Sequence, residues 1–406
     1  MIKKRRVVAF TVPGQGHVNR MLPLVAGLCE QGIPVDFFAH AWAQPEIERT
    51  GARFIDLYAN RPMMTPDSTS TPMALRAVSF AGYWGEDVVR EIAPLEPSLI
   101  LHDTFAVLGR IAAFHLKVPR VNMRAGHNLQ PERALAALRA HPGLHISDAC
   151  QAAVETLRTR HGVADASPFS FFIDDGADLN IYSEPPEFLL PEERAPFEPL
   201  AFFGSYWPAD HAGPTTPDPF GPGAENGLKV YAGLGTAVWL ECPDLAMMVL
   251  ETVADALATY PSARGLITLG GKQVTPADIE RLTRPNVRVE PAVDQTAVLR
   301  HATAFVCHNG LNSTHEAIIH EVPMLSVPFF GDQPQLAARC QALGLAVPLT
   351  PAPGAPPTVA GIHAALDRVR AEGPALRARL AEAHGWEKAV MAQRPAVLRR
   401  IIDLMG

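Results

Sequence analysis

Short runs of β-branched and aromatic residues recur along the chain, and longer stretches between them repeat apolar positions every three to four residues. The short runs predict strands and the longer stretches predict helices that cover them. "RVVAFTV" opens the series, residues 20–31 predict a helix closed by Gly32, and "PVDFFAH" predicts the next strand. "SLILHD" and "PRVNM" continue it. The alternation stops at 207–227, "WPADHAGPTTPDPFGPGAENG", where five prolines and four glycines leave no period. It resumes with "LKVYAGLG", a helix over 243–259, "GLITLGG", "NVRVEPAV", "TAFVCHNG" and "PMLSVPFF". The last stretch, "WEKAVMAQRPAVLRRIIDLM", predicts one or two helices interrupted near Pro395.

Strands alternating with helices predict an α/β fold of parallel sheets, here in two Rossmann-like halves facing across a cleft. We place the first domain at 1–208, the linker at 209–226, the second domain at 227–385 and terminal helices at 386–406, packing back on the first domain. A length of 406 residues with 48% apolar composition suits two cores.

Net charge is −7 and the Lys and Arg residues are scattered, so no nucleic-acid or anionic-membrane footprint exists. The apolar run after "MIKKRR" is too short for a signal peptide, and no stretch approaches a membrane span. Five cysteines stand far apart with no C-x-x-C pair, which indicates neither a disulfide framework nor a zinc site. A cytoplasmic location is expected.

Open parallel sheets bind ligands outside the carboxyl ends of their strands, so the polar residues that follow strands carry the chemistry. "HNGLNSTHEA", 308–317, follows "ATAFVC". Ser313 and Glu316 have the spacing of a capping box, yet a helix N-terminus after a glycine loop is also an anion site that His308, Gly310 and Asn312 would border. Asp332 and Gln333 sit between a strand and a helix; Asp332 could be an N-cap with Pro334 at N1, or the pair could bind sugar hydroxyls. Near the start, "TVPGQGHVNR" follows the first strand, with Asn19 as an expected N-cap. Gly14, Gly16 and a later Asp36 echo a dinucleotide fingerprint whose third glycine is replaced by Asn19, which keeps an NAD(P)-dependent oxidoreductase as an alternative. His17 is either a buried core histidine or a general base, and Asp103, ending "SLILHD", is its candidate orienting acid. No D-x-D occurs, so no local carboxylate pair for a divalent metal is expected.

Together these stretches resemble family 1 nucleotide-sugar-dependent glycosyltransferases of the two-Rossmann-domain (GT-B) type, particularly the bacterial macrolide and antibiotic group. "PGQGHVNRMLPL", "GLGT" at 233–236 and "HNGLNSTHEAIIHEVPMLSVPFFGDQPQLAARC" at 308–340 carry the resemblance. It implies that His308, Asn312, Ser313 and Thr236 contact the donor diphosphate, while Gly16, Gly235 and Gly310 let backbone approach. Val293 and Gln295 would serve the nucleotide, Glu316 the ribose, and Asp332 and Gln333 the transferred sugar. His17 would be the base and Asp103 its partner in an inverting, metal-independent hexosyl transfer. Ala292 stands where the family often has a tryptophan, Arg20 where it has a proline, and Asn309-Gly310-Leu311 where Gly, Cys or Trp are usual. The expected substrates are a nucleoside-diphosphate sugar and a small apolar acceptor, a polyketide, macrolide or aromatic compound, taken up near Met63, Met64, Phe80, Tyr83 and Trp84 of the loop 61–85. No separate cofactor is expected, and a homodimer is left open. A non-catalytic partner protein of the same fold is the other alternative.

Overall fold

Alternate residues of the first strand serve opposite faces of one sheet, as the two-residue period of a strand requires. In the computed structural model, which describes residues 5–124, 126–139, 143–173, 176–205, 217–221, 227–270, 274–350, 352 and 354–406, Val7 and Ala9 of β1 (Val7–Phe10) pack with Val18, Met21 and Val25 of the helix Gln15–Glu30. Val8 and Phe10 pack on the other side with Val78 and Ala81 of the helix Leu75–Ile92 and Ile111 of the helix Leu108–Leu116. A strand that is buried on both faces needs a continuous apolar run, and "VVAF" supplies it.

The first sheet adds β2 (Val35–Ala39), β3 (Arg53–Asp56), β4 (Leu99–Asp103), β5 (Arg120–Met123), β6 (Leu179–Tyr182) and β7 (Leu200–Phe202) in the order β3-β2-β1-β4-β5-β6-β7. Every pairing is parallel. The second sheet, also parallel, contains β8 (Leu228–Gly233), β9 (Ala263–Thr268), β10 (Val287–Glu290), β11 (Ala304–Cys307), β12 (Met324–Ser326) and β13 (Ala346–Pro348) in the order β10-β9-β8-β11-β12-β13. Each order grows outward on one side and then jumps to the other. The jumps fall between β1 and β4 and between β8 and β11, the switch points where loops diverge and leave room for a ligand.

The chain divides into a first unit, Met1–Ala125, Leu129–Tyr206 and Ala389–Gly406, and a second, Gly126–Asn128 and Trp207–Lys388. The helix Val359–Ala392 runs from the second unit into the first and is followed by Arg394–Asp403, with Pro395 in its first turn. Val397, Leu398, Ile401 and Met405 complete the core over β1 and the Gln15 helix. The linker 209–226 lies outside the described residues except for 217–221.

Three local expectations are corrected. The first helix begins at Gln15, with Gly14 at its N-cap, because the amides of His17 and Val18 already bond to the Gly14 carbonyl. Asn19 therefore lies inside the helix, where its Oδ1 accepts from the Gln15 side chain at 2.8 Å. Residues 61–85 are not one long loop, since the Leu75–Ile92 helix takes up their second half and buries Phe80 in the core. No helix among the described residues is long and apolar enough to cross a membrane.

Candidate active site

The parallel pairing of β1 with β4 brings the turn after β1 beside the carboxyl end of β4. His17, third residue of the Gln15 helix, and Asp103, last residue of β4, meet there, with Nδ1 of His17 2.5 Å from Oδ2 of Asp103. The other carboxylate oxygen, Oδ1, accepts the Phe105 amide at 2.7 Å, which fixes the carboxylate plane. The Asp103 side chain is 2% exposed and that of His17 is 23% exposed. A buried carboxylate holding one ring nitrogen keeps the proton on that nitrogen and leaves Nε2 as the basic atom. Phe105 lies against the ring, with centroids 4.8 Å apart, and restricts its tilt.

The second switch point is built differently. His308 follows β11 in a loop three residues before the helix Leu311–Ile319. A Cβ on Gly235 would come within 2.6 Å of its ring, and one on Gly310 within 2.2 Å, so both positions must be glycine for the ring to fit between them. Gly235 also has φ +68, a conformation glycine adopts without strain. Burial pushes the His308 ring down to about 4, so it is neutral at ordinary pH. Its Nδ1 is buried with no hydrogen-bond partner among the described residues. Asn309 takes φ +56 and is buried, which suits asparagine better than most side chains. Beside this loop, Thr236 precedes the short helix Ala237–Glu241 and its side chain makes no capping bond.

The Leu311 helix does not form the capping box that its sequence spacing predicts. Gly310 is its N-cap, so Ser313 falls at the third helical position and cannot cap it. Ser313 and Glu316 instead face Gln295, whose Nε2 donates to Glu316 Oε2 at 2.6 Å and to Ser313 Oγ at 3.1 Å. The Tyr231 hydroxyl donates to Gln295 Oε1 at 3.3 Å. Burial raises the Glu316 carboxyl to about 7, against the lowering effect of the Gln295 bond. The first bond of the Leu311 helix runs from the Thr314 amide to the Gly310 carbonyl at 3.0 Å, and a helix start after a glycine loop is of the kind that suits an anion. Val293 precedes the N-cap Asp294 of the helix Gln295–Leu299.

Asp332 stands at the N-cap of the helix Gln333–Ala342 but makes no side-chain cap; its Oδ2 accepts the His127 amide at 2.8 Å. Gln333 Oε1 accepts from Phe329 and Phe330 amides, at 2.9 and 3.3 Å. Gly16 is the second residue of the Gln15 helix and belongs to the first unit, outside this cluster.

A dinucleotide site would need Asp36 free at a strand's carboxyl end. It is the second residue of β2 and is held by Arg6 and Arg53, each at 2.6 Å. The oxidoreductase alternative loses its ribose ligand. Tyr231, which joins Gln295 here, is not singled out by the sequence, because an apolar strand position reads simply as core and a hydroxyl at the centre of β8 is its one signal.

Residues 216–370 match the model of the family described as UDP-glucoronosyl and UDP-glucosyl transferase. This segment contains Thr236, Gln295, His308, Ser313, Glu316 and Asp332, the polar groups gathered around the second switch point. The chain has the GT-B fold of glycosyltransferases. Among curated relatives, an uncharacterized UDP-glucosyltransferase, YdhE of Bacillus subtilis (strain 168), is 24% identical over 350 residues, covering 84% of each chain. The oleandomycin glycosyltransferase of Streptomyces antibioticus is 25% identical over 353 residues, 84% of this chain and 78% of that protein. The GT-B fold is shared with the solved glycotransferase of kitacinnamycin, at a TM-score of 0.77 and 21% identity over 100% of both chains.

Proposed function

We propose that this glycosyltransferase moves a hexose from a nucleoside-diphosphate sugar to a hydroxyl of a small apolar acceptor, with inversion at the anomeric carbon. The observation that carries this reading is the His17–Asp103 pair at 2.5 Å on the first switch point. In the proposed step Nε2 of His17 takes the acceptor proton as its oxygen forms the bond to the anomeric carbon. The bond from that carbon to the diphosphate breaks on the opposite face, and Asp103 stabilises the imidazolium that results. The leaving diphosphate is received by the amides that open the Leu311 helix, by neutral His308 and by Thr236. Glu316 holds ribose hydroxyls; Asp332 and Gln333 serve the sugar.

Donation by amides, hydroxyls and a neutral ring supports a transfer that needs no divalent metal or other cofactor. An apolar acceptor is favoured by the exposed Tyr83 and Met64 of the first unit, which would otherwise lie against water. All five cysteines are free, in keeping with a reducing cytoplasm.

The test is intact-mass detection of product after incubation with a panel of UDP- and dTDP-hexoses and apolar alcohols, with and without EDTA. We expect one hexose added, an unchanged yield under EDTA, and a loss of roughly a hundred- to ten-thousandfold in rate for His17→Ala, with UDP binding retained. Near-normal turnover by His17→Ala sinks the base assignment.

A further inference from the structure

Three side chains separate the centre of β8 from the start of the Leu311 helix. Tyr231 is 1% exposed, its ring stacked on Phe305 at a centroid distance of 4.8 Å and an interplanar angle of 10°. A Cβ on Gly233 would lie 2.9 Å from the tyrosine oxygen, so the absence of one lets the hydroxyl sit where it does. Among the described residues that hydroxyl bonds to the carboxamide oxygen of Gln295, and the carboxamide nitrogen reaches Glu316 and Ser313. An amide can turn over and exchange its oxygen for its nitrogen. If it did so here, an acceptor would face the Glu316 carboxylate.

We infer that Tyr231 is a positioning residue for donor binding: its hydroxyl fixes the Gln295 amide with the NH2 group toward Glu316 and Ser313, so the carboxylate is aimed before the nucleotide arrives. The inference rests on the proposed role of Glu316 toward the donor ribose. Preorganisation of this kind removes an ordering cost from binding and leaves the chemical step alone. It also has an electrostatic consequence. Donation from Gln295 favours the ionised carboxyl against burial and the Asp294 charge, and His315 also lowers Glu316; burial first, then Glu316, Asp294 and Cys307, raise Tyr231 and keep its hydroxyl a donor. Loss of the tyrosine hydroxyl therefore raises the pH at which Glu316 becomes charged.

Calorimetric titration of the full chain with UDP from pH 5.5 to 9 tests this in the wild type, Tyr231→Phe and Glu316→Gln. Phenylalanine keeps the stack on Phe305, and an unchanged thermal midpoint confirms the fold. We expect Tyr231→Phe to weaken UDP roughly three- to tenfold at pH 8 and to move the midpoint of the pH dependence upward. A packing role alone would leave that midpoint in place. Wild-type affinity, or an unshifted midpoint, in Tyr231→Phe overturns the inference while Glu316→Gln still loses affinity. Failure of the wild type to bind either UDP or dTDP removes the donor reading of the second unit, and this inference with it.

Discussion

The two switch points share a topology and differ in what they do with a histidine. At the first, His17 lies inside a helical turn, part-exposed, with a buried carboxylate on one ring nitrogen. At the second, His308 lies in the loop before its helix, enclosed between two glycines and neutral down to about pH 4. In the function we propose, the first ring accepts a proton and the second, neutral, donates a hydrogen bond. A parallel sheet supplies only the opening beside its strands; burial and the nearest charge decide the task. An acid within reach makes a base, and desolvation without an acid makes a fixed dipole.

The contrast is most severely tested at Asp103. Asp103→Asn leaves a ring that can take the wrong tautomer, and we expect the rate to fall roughly a hundred- to ten-thousandfold while UDP affinity stays within twofold, about the limit of calorimetry. An equal loss of UDP affinity would mean that the pair serves the donor as well, and the division between the two sites would collapse. At the other switch point Gly235→Ala adds a Cβ 2.6 Å from His308 at a φ of +68. UDP affinity should fall about tenfold or more, equivalent to ~1.4 kcal/mol.

The smallest effect is expected at Glu316. Because its carboxyl is raised to about 7, UDP affinity should increase as pH rises through 7, and Glu316→Gln should abolish that increase at a cost of roughly three- to tenfold at pH 8. Stability has the opposite sign. A carboxyl raised on folding favours the native state below its unfolded value, near 4.5, and loses that contribution as pH climbs to 7. The nucleotide-free Glu316→Gln protein should therefore melt above the wild type at pH 8, with the gap closing below pH 5. Scanning calorimetry at both pH values is the check.

Most strands that frame these sites are legible because buried parallel strands are continuous apolar runs, as "VVAF", "LILHD" and "AFVC" show. β3, "RFID", is less so, since its residues are part-exposed and its pattern is mixed. Local spacing misleads at the helix starts. "PGQGH" reads as a turn but is already helical from Gln15, and S-x-x-E at 313–316 reads as a cap although Gly310 is the N-cap and Leu311 begins the helix two residues before Ser313. Both errors come from assigning side chains before the backbone has chosen its first turn. His17 and Asp103 could each be singled out as residues after strands, whereas their meeting depends on β1 and β4 being neighbours, a fact of topology. The Tyr231–Gln295–Glu316 series joins three separate elements, and no window along the chain contains it. Asp36 shows the converse, a residue with motif spacing whose carboxylate is committed to two arginines.

The return of Ala389–Gly406 to the first unit bears on how the molecule is made. Val397, Leu398, Ile401 and Met405 close the core above β1, and Arg5 bonds to the carbonyl of Gly406. On a ribosome, β1 emerges ahead of residues 207–388 and waits through the whole of them before the apolar cover from Ala389–Gly406 is synthesised. The second unit can mature during that interval, because all of its strands lie in one continuous stretch. The first carries uncovered apolar surface until synthesis reaches the Arg394 helix, so it is the half exposed to misassembly.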